Sequence, residues 1–327
     1  MGAALRLLER YAPLEQLPVL VEGESGTGKS YVARALHLRS PRGRGPFHQV
    51  LLSSLDDNLA ASDLFGHLSG AYTDARQSRP GHFVSANGGT LFLDEIGKAS
   101  FAVQRKLLHA VEHQEVWPVG ADRSVRLNVR LVTATNVSLE RLVELGEFLP
   151  DLAARLSNFR IRLPALRERR QDIPELEDQF LRLRAPQLGI HGKVPRVSDE
   201  VMQALQLAEW PNNLRQLDAT VQRLLIEGQE AAEITLAHCV EDLAYLRGLV
   251  RGSASPLTPA LVRERMAALQ SVAETARSLG VSRWTVYRYL DRSDHVGDAS
   301  RSGRAESTTL DSAKRRGDAH EERRRAV

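Results

Sequence analysis

Gly23-Glu24-Ser25-Gly26-Thr27-Gly28-Lys29-Ser30 carries three glycines, a lysine and a hydroxyl at the spacing G-x-x-x-x-G-K-[ST]. Such a loop turns backbone N–H groups inward onto phosphate oxygens at the positive end of the helix that follows. Lys29 then reaches the β- and γ-phosphates of ATP, and the Ser30 hydroxyl holds Mg²⁺. Asp94-Glu95 supplies the other half of that chemistry. Asp94 binds the Mg²⁺ that bridges phosphate oxygens, and Glu95 orients or polarises the attacking water. A glycine turn that matches by chance and an acidic pair before a turn are the plain alternatives; both motifs in one chain point to an ATPase site. Asn136 can hydrogen-bond the γ-phosphate or the water, or serve only as a turn residue. Arg155 and Arg215 offer the cation that phosphoryl transfer needs, although surface arginines are often merely solvated.

These residues need a scaffold, and the chain supplies one. Pro18–Val21 reads as a strand into the loop and Tyr31–Leu36 as the helix out of it. Phe47–Leu52, the run from Gly88 to Glu95, Val129–Thr133 and Phe159–Leu163 read as four further strands, with helical patterns between them, notably Ala102–Val111. Strands alternating with helices predict an α/β, doubly wound, mostly parallel sheet with ligands at the strands' carboxyl ends. Residues 4–12 read as an amphipathic helix with Leu5, Leu8, Tyr11 and Ala12 on one face. From about Leu166 to Leu249 strands stop, and Ile173–Arg184, Asp199–Leu207, Asn213–Glu227 and Ile234–Leu246 read as helices of a small all-α domain. The expected division is 1–165 nucleotide-binding, 166–250 helical lid, 251–258 linker, 259–292 a third helical unit, and 293–327 a disordered tail.

Composition sets bounds. The chain has 327 residues, 42% of them hydrophobic, enough for a packed core. No apolar run approaches the roughly 20 residues of a membrane span, and no signal-peptide pattern opens the chain. A single cysteine, Cys239, rules out an internal disulfide framework, suits a reducing cytoplasm and reads as a small core residue. Net charge is +3, and residues 314–327 hold six Lys/Arg against three Asp/Glu, so the excess lies in the tail.

From about residue 3 to 246 the chain resembles the central AAA+ domain of bacterial enhancer-binding proteins, the activators of sigma-54 RNA polymerase. The likeness is carried by Gly23–Ser30, Leu64-Phe65-Gly66-His67, Gly70-Ala71-Tyr72-Thr73-Asp74-Ala75, Gly88–Gly97, Ala134-Thr135-Asn136, Leu163–Ile173 and Trp210-Pro211-Asn212-Asn213-Leu214-Arg215. The resemblance implies that Gly70–Ala75 is the pore loop that grips the sigma factor, although an ordinary surface turn is the bland reading. It makes Asn136 the γ-phosphate sensor, Arg155 an arginine finger acting on the neighbouring subunit, and Arg215 the lid sensor. A finger in trans implies a ring, and the family forms hexamers. Residues 273–290 resemble the family's Fis-type helix-turn-helix: Ala273–Leu279, a turn at Gly280-Val281, an N-cap at Ser282, and a recognition helix from Arg283 to Leu290. Arg283, Thr285, Tyr287 and Arg288 would face double-stranded DNA while Val286 and Leu290 pack inward; an α-hairpin packing unit is the alternative.

The chain departs from that pattern in several places. Leu149 stands where the family carries a first arginine finger, and Leu51 where an Asn switches the catalytic glutamate. Tyr72 replaces Phe and Asp74 replaces Gly in the pore loop, while Ser30 replaces Glu. The sequence starts a few residues inside the family's domain, so the resemblance leads to the expectation that part of the adenine pocket is missing and that no receiver, sensory or forkhead-associated domain precedes it. The expected activity is ATP-driven remodelling of the sigma-54 holoenzyme into an open complex from an upstream DNA site. The rival is a DNA-binding regulator that binds ATP for assembly and hydrolyses it little; an unrelated P-loop helicase or kinase leaves Gly70–Ala75 unexplained.

Overall fold

Five strands form one sheet: β1 (Val19–Glu22), β2 (Phe47–Leu51), β3 (Thr90–Asp94), β4 (Arg130–Thr135) and β5 (Arg160–Arg162). Their order is β2-β3-β4-β1-β5, and every neighbouring pair is parallel. The computed structural model describes residues 1–56, 59–71, 77–240, 243–250 and 259–279, with positions 283, 286, 287 and 290. The linker 251–258, the turn Gly280-Val281, the Ser282 cap and the tail 293–327 lie outside the described residues.

A parallel sheet needs cover on both faces, and successive side chains point to opposite sides. Leu20, Leu91, Leu93 and Leu131 enter one core cluster; Val19, Val21, Phe92, Val132 and Ala134 enter the other. The helix Phe101–His113 adds Val103, Leu107 and Ala110 to the first, and the helix Lys29–Leu38 adds Val32, Ala33 and Leu36 to the second. The first helix, Gly2–Tyr11, buries Ala4 and Leu8, with Ala12 following. Leu5 is 44% exposed, which corrects the expected stripe. The buried positions step by four from Ala4, and Leu5 sits one residue, roughly 100°, off that line.

Arg130, fully buried at the start of β4, is a feature the sequence pattern did not reveal. Its guanidinium donates to Tyr11 O at 2.7 Å, Ala12 O at 2.9 Å and Leu36 O at 3.2 Å. These carbonyls end the first helix and the phosphate-loop helix, where backbone acceptors lack intrahelical partners and the dipole favours a cation. Burial lowers the Arg130 pKa to about 10. Arg130→Met removes the guanidinium donor from the Ala12 and Leu36 carbonyls, while Tyr11 O keeps its bond from Leu14 N–H, and is expected to cost about 2 kcal/mol, read from the urea midpoint.

The division falls into two compact units, Met1–Ile173 with Asn212–Ala219, and Pro174–Pro211 with Thr220 onward. In the second, helices Asp199–Leu207 and Ala244–Val250 pack together, as do Pro259–Leu269 and Val272–Leu279. One expectation changes here. Glu233–Ile234 pairs in parallel with Arg196–Val197, and Leu236–His238 is a single 3-10 turn, so the helix begins only at Ala244. Thr235 and His238 form a reciprocal cap across that turn, which satisfies the local backbone without an α-helix. Cys239 is fully buried, and burial pushes its thiol pKa up, as a core cysteine requires.

Glu177 is the charged residue out of place. It is buried with Oε1 unpartnered, and desolvation, aided by Asp178, raises its pKa to about 7. The folded chain therefore keeps a proton that the unfolded chain releases near 4.5. Stability falls as pH rises from about 4.5 to 7 and is level above that, a total of about 3 kcal/mol. Glu177→Gln should remove this slope, so its advantage in urea midpoint over wild type should grow through that window.

Candidate nucleotide site

The order β3-β4-β1 sets three carboxyl ends side by side. The phosphate loop follows β1, Asp94-Glu95 closes β3, and Asn136 follows β4, exposed. Gly26 has φ +77° and Gly28 φ +102°, conformations that side chains rarely adopt. At Gly26 a Cβ would also fall 2.2 Å from Asn212 O, so the loop runs hard against the chain there.

Lys29 is buried inside the loop's curve, donating to Gly23 O at 2.9 Å and Glu24 O at 3.0 Å. Burial lowers its pKa, while Asp94 and Glu95 act in the opposite direction. Ser30 Oγ donates to Asp94 Oδ2 at 3.4 Å, which brings the expected metal-binding pair together. Glu95 sits in the left-handed region at φ 56°, its N–H held by Asp94 Oδ1 at 3.0 Å. Strained backbone of this kind is found where a side chain must be aimed. Leu51 pairs in register with Asp94 and is 40% exposed.

Arg215 Nη1 donates to Ser25 Oγ at 3.4 Å, so it reaches the loop. Arg155 does not. It lies on the helix Pro150–Leu156, paired with Glu112 at 3.2 Å. Leu149, at the start of that helix, packs against the core, and its N–H donates to Gln104 Oε1 at 2.8 Å. Sequence reasoning assigned no role to three residues that grip the loop from outside. Arg167 pairs with Glu24, Arg169 donates to Thr27 O at 3.1 Å, and Asn213 donates to Ser25 O at 2.9 Å. The run Leu163–Arg169 signalled Arg167 and Arg169 only by its density of arginines, and nothing local signalled Asn213.

Around the expected pore loop, Gly66–His67 pairs antiparallel with Arg79–Pro80, and His67 also bridges to Val119. Gly70 has φ +80°, with no described atom within 4 Å of where a Cβ would sit, and Ala71 N–H donates to Leu68 O at 3.2 Å. Tyr72, Thr73, Asp74 and Ala75 lie outside the described residues. At the other end, Arg283 and Tyr287 are exposed, while Val286 is buried with Val262 and Ala276, and Leu290 packs against them. Thr285 and Arg288 lie outside the described residues.

With that geometry in place, the likeness to known proteins is specific. The sigma-54 interaction domain matches residues 1–162, and the AAA+ ATPase lid domain matches residues 167–247. The chain belongs to the sigma-54 interaction domain family. Members similar to it include the DNA-binding transcriptional regulator NtrC of Salmonella typhimurium, 45% identical over 216 residues, which are 65% of this chain and 46% of that protein. The transcriptional regulatory protein ZraR of the same organism is 39% identical over 282 residues, 84% of this chain and 63% of that one. The chain spans about half the length of the curated relatives it matches. NtrX from Brucella abortus in complex with ATP superposes with a TM-score of 0.66 at 30% identity, covering 89% of this chain and 67% of that one. The Thermotoga maritima RuvB branch migration motor, at 16% identity and TM-score 0.52, covers 90% of this chain and 87% of that one and shares the AAA+ fold alone.

Proposed function

We propose that this chain is an ATP-driven transcriptional activator that forms a ring and remodels sigma-54 RNA polymerase holoenzyme at promoters. The observation that carries the reading is the convergence of Lys29 and Ser30, after β1, with Asp94 and Glu95, at the end of β3, the two strands that flank β4. ATP is the substrate, its phosphates received by Gly23, Glu24, Ser25, Gly26, Thr27 and Gly28 through the loop backbone and by Lys29 through its ammonium. Ser30 Oγ and Asp94 Oδ2, 3.4 Å apart, are hard oxygen donors that fit Mg²⁺. When bound, that ion neutralises charge on the phosphate oxygens. Glu95 aligns and polarises water, Asn136 senses the γ-phosphate, Arg215 reports from the lid, and Arg155 serves the neighbouring subunit. The relatives named as NtrC and ZraR regulate transcription, which supports the same role here.

Gly70–Ala75 is proposed to contact the sigma factor from the ring's pore, and Arg283, Thr285, Tyr287 and Arg288 to contact double-stranded DNA. The domain division 1–165, 166–250, 251–258, 259–292 and 293–327 belongs to this proposal, as does a cytoplasmic location, where the polymerase works. Among the described residues no helix is long and apolar enough to cross a membrane. Truncation after Arg251 should abolish specific DNA binding and leave ATP hydrolysis intact; specific binding that survives would place the reader elsewhere. Phosphate contacts make affinity fall with salt, and each good base pair contact discriminates by roughly 1–3 kcal/mol.

One observation favours a second reading. Leu51 beside Asp94 removes the amide that would couple nucleotide state to Glu95, which suits a regulator that binds ATP for assembly and turns it over little. Steady-state phosphate release separates the two: turnover that vanishes in Glu95→Gln supports the ATPase, and none above background in assembled wild type supports the regulator.

A further inference from the structure

A carboxylate within a loop that receives a polyanion opposes binding unless it is neutralised or turned aside. Glu24 is such a group, the second residue of the phosphate loop. Its backbone carbonyl faces the loop's own cations and donors, accepting from Lys29 Nζ at 3.0 Å and Thr27 Oγ1 at 2.8 Å. Its carboxylate is taken by residues far away in sequence. Arg167 forks onto it with Nη1 to Oε2 at 2.8 Å and Nη2 to Oε1 at 2.6 Å, and Asn213 Nδ2 adds a bond to Oε2 at 3.2 Å.

Asn213 ties this carboxylate to the backbone on either side of it. It is fully buried, its Nδ2 also donates to Ser25 O at 2.9 Å, and its Oδ1 accepts from Leu166 N–H at 2.7 Å. Its φ of +50° is in the left-handed region, which asparagine enters more readily than other side-chain-bearing residues. A planar bidentate fork fixes direction as well as charge, which an ammonium cannot do. The fork, the buried amide and the left-handed backbone all converge on one carboxylate.

We infer that Arg167 and Asn213 are positioning residues of the phosphate loop, which hold the Glu24 carboxylate away from the nucleotide's phosphates. The inference rests on the ATP reading above. Without the fork, Glu24 adds a unit negative charge beside the phosphates, so the loss of affinity should grow with the charge of the ligand. A fork that merely supported the fold would weaken every nucleotide alike.

The test uses the full chain with Mg²⁺, titrated calorimetrically with ATP and with ADP, and a melting curve beside each titration. Arg167→Met should bind ATP about tenfold more weakly and ADP less affected, while Arg167→Met/Glu24→Gln should recover to within about threefold of wild type. If Arg167→Met melts below the assay temperature, Arg167→Gln, which keeps a donor and drops the charge, gives the same comparison. Wild-type affinity in the single variant, equal losses for ATP and ADP, or no recovery in the double variant would each overturn the inference. Wild type that binds neither nucleotide would instead overturn the nucleotide site itself, so the two failures are distinguishable.

Discussion

Lys29→Ala should lose ATP binding, and Glu95→Gln should keep binding while turnover falls by about 10²–10³-fold. The two residues sit on different sides of the same chemistry. Lys29 is buried within the curve of the loop, its ammonium already directed at the backbone oxygens of Gly23 and Glu24. Removing it takes away the one side-chain cation within the loop. Glu95 makes no phosphate contact in this scheme; its left-handed backbone and the Asp94 bond to its N–H aim a carboxylate beyond the end of β3. Glutamine keeps the shape and drops the charge that polarises water. Equilibrium titration with ATP and steady-state phosphate release, run on both variants, separate binding from chemistry. Hydrolysis by Glu95→Gln at the wild-type rate would remove Glu95 from its role.

Arg155→Ala is expected to remove nearly all turnover, because an arginine finger supplies about 10³–10⁵ in rate in well-studied P-loop enzymes. Among the described residues, Arg155 pairs with Glu112 and makes no contact with its own phosphate loop. Its exposed position suits the proposed action on a neighbour, a duty that, with Leu149 in place of a second arginine, it would carry alone. Two inactive variants then have a distinctive behaviour. Mixing Arg155→Ala, which keeps Glu95, with Glu95→Gln, which keeps Arg155, should restore hydrolysis at shared interfaces. Leu149→Arg should raise turnover, at a stability cost of about 1 kcal/mol, because Leu149 packs against the core. Phosphate release from each variant alone and from their mixtures reads all three; silent mixtures and an active Arg155→Ala would contradict a finger in trans.

Much of the architecture could be read from residue order. The expected strands at Val19, Phe47, Thr90, Arg130 and Arg160 each formed within one or two residues; the three central ones, β1, β3 and β4, are buried almost throughout and carry the near-continuous apolar runs that a covered parallel sheet needs. The loop, Asp94-Glu95 and the end of β4 were placed together by that topology alone. What escaped had a common cause. Arg130 looks like any arginine beside a strand, and only the meeting of two helix ends makes it a buried cap. Arg167 and Asn213 grip Glu24 across sequence separations of 143 and 189 residues, which no local pattern encodes. Ile234–Leu246 carries a helical pattern, yet the strand pairing of Glu233–Ile234 and the cap at Thr235 override it. Leu5 failed for a smaller reason, a stripe drawn one residue out of phase with the buried one.

The ring mechanism rests on a site completed between subunits, and hydrolysis as a function of protein concentration, with sedimentation on the same samples, tests it most directly. Turnover per subunit should rise with the fraction assembled and approach zero where the chain sediments singly. A turnover per subunit that stays constant down to concentrations at which only single chains sediment would contradict the account.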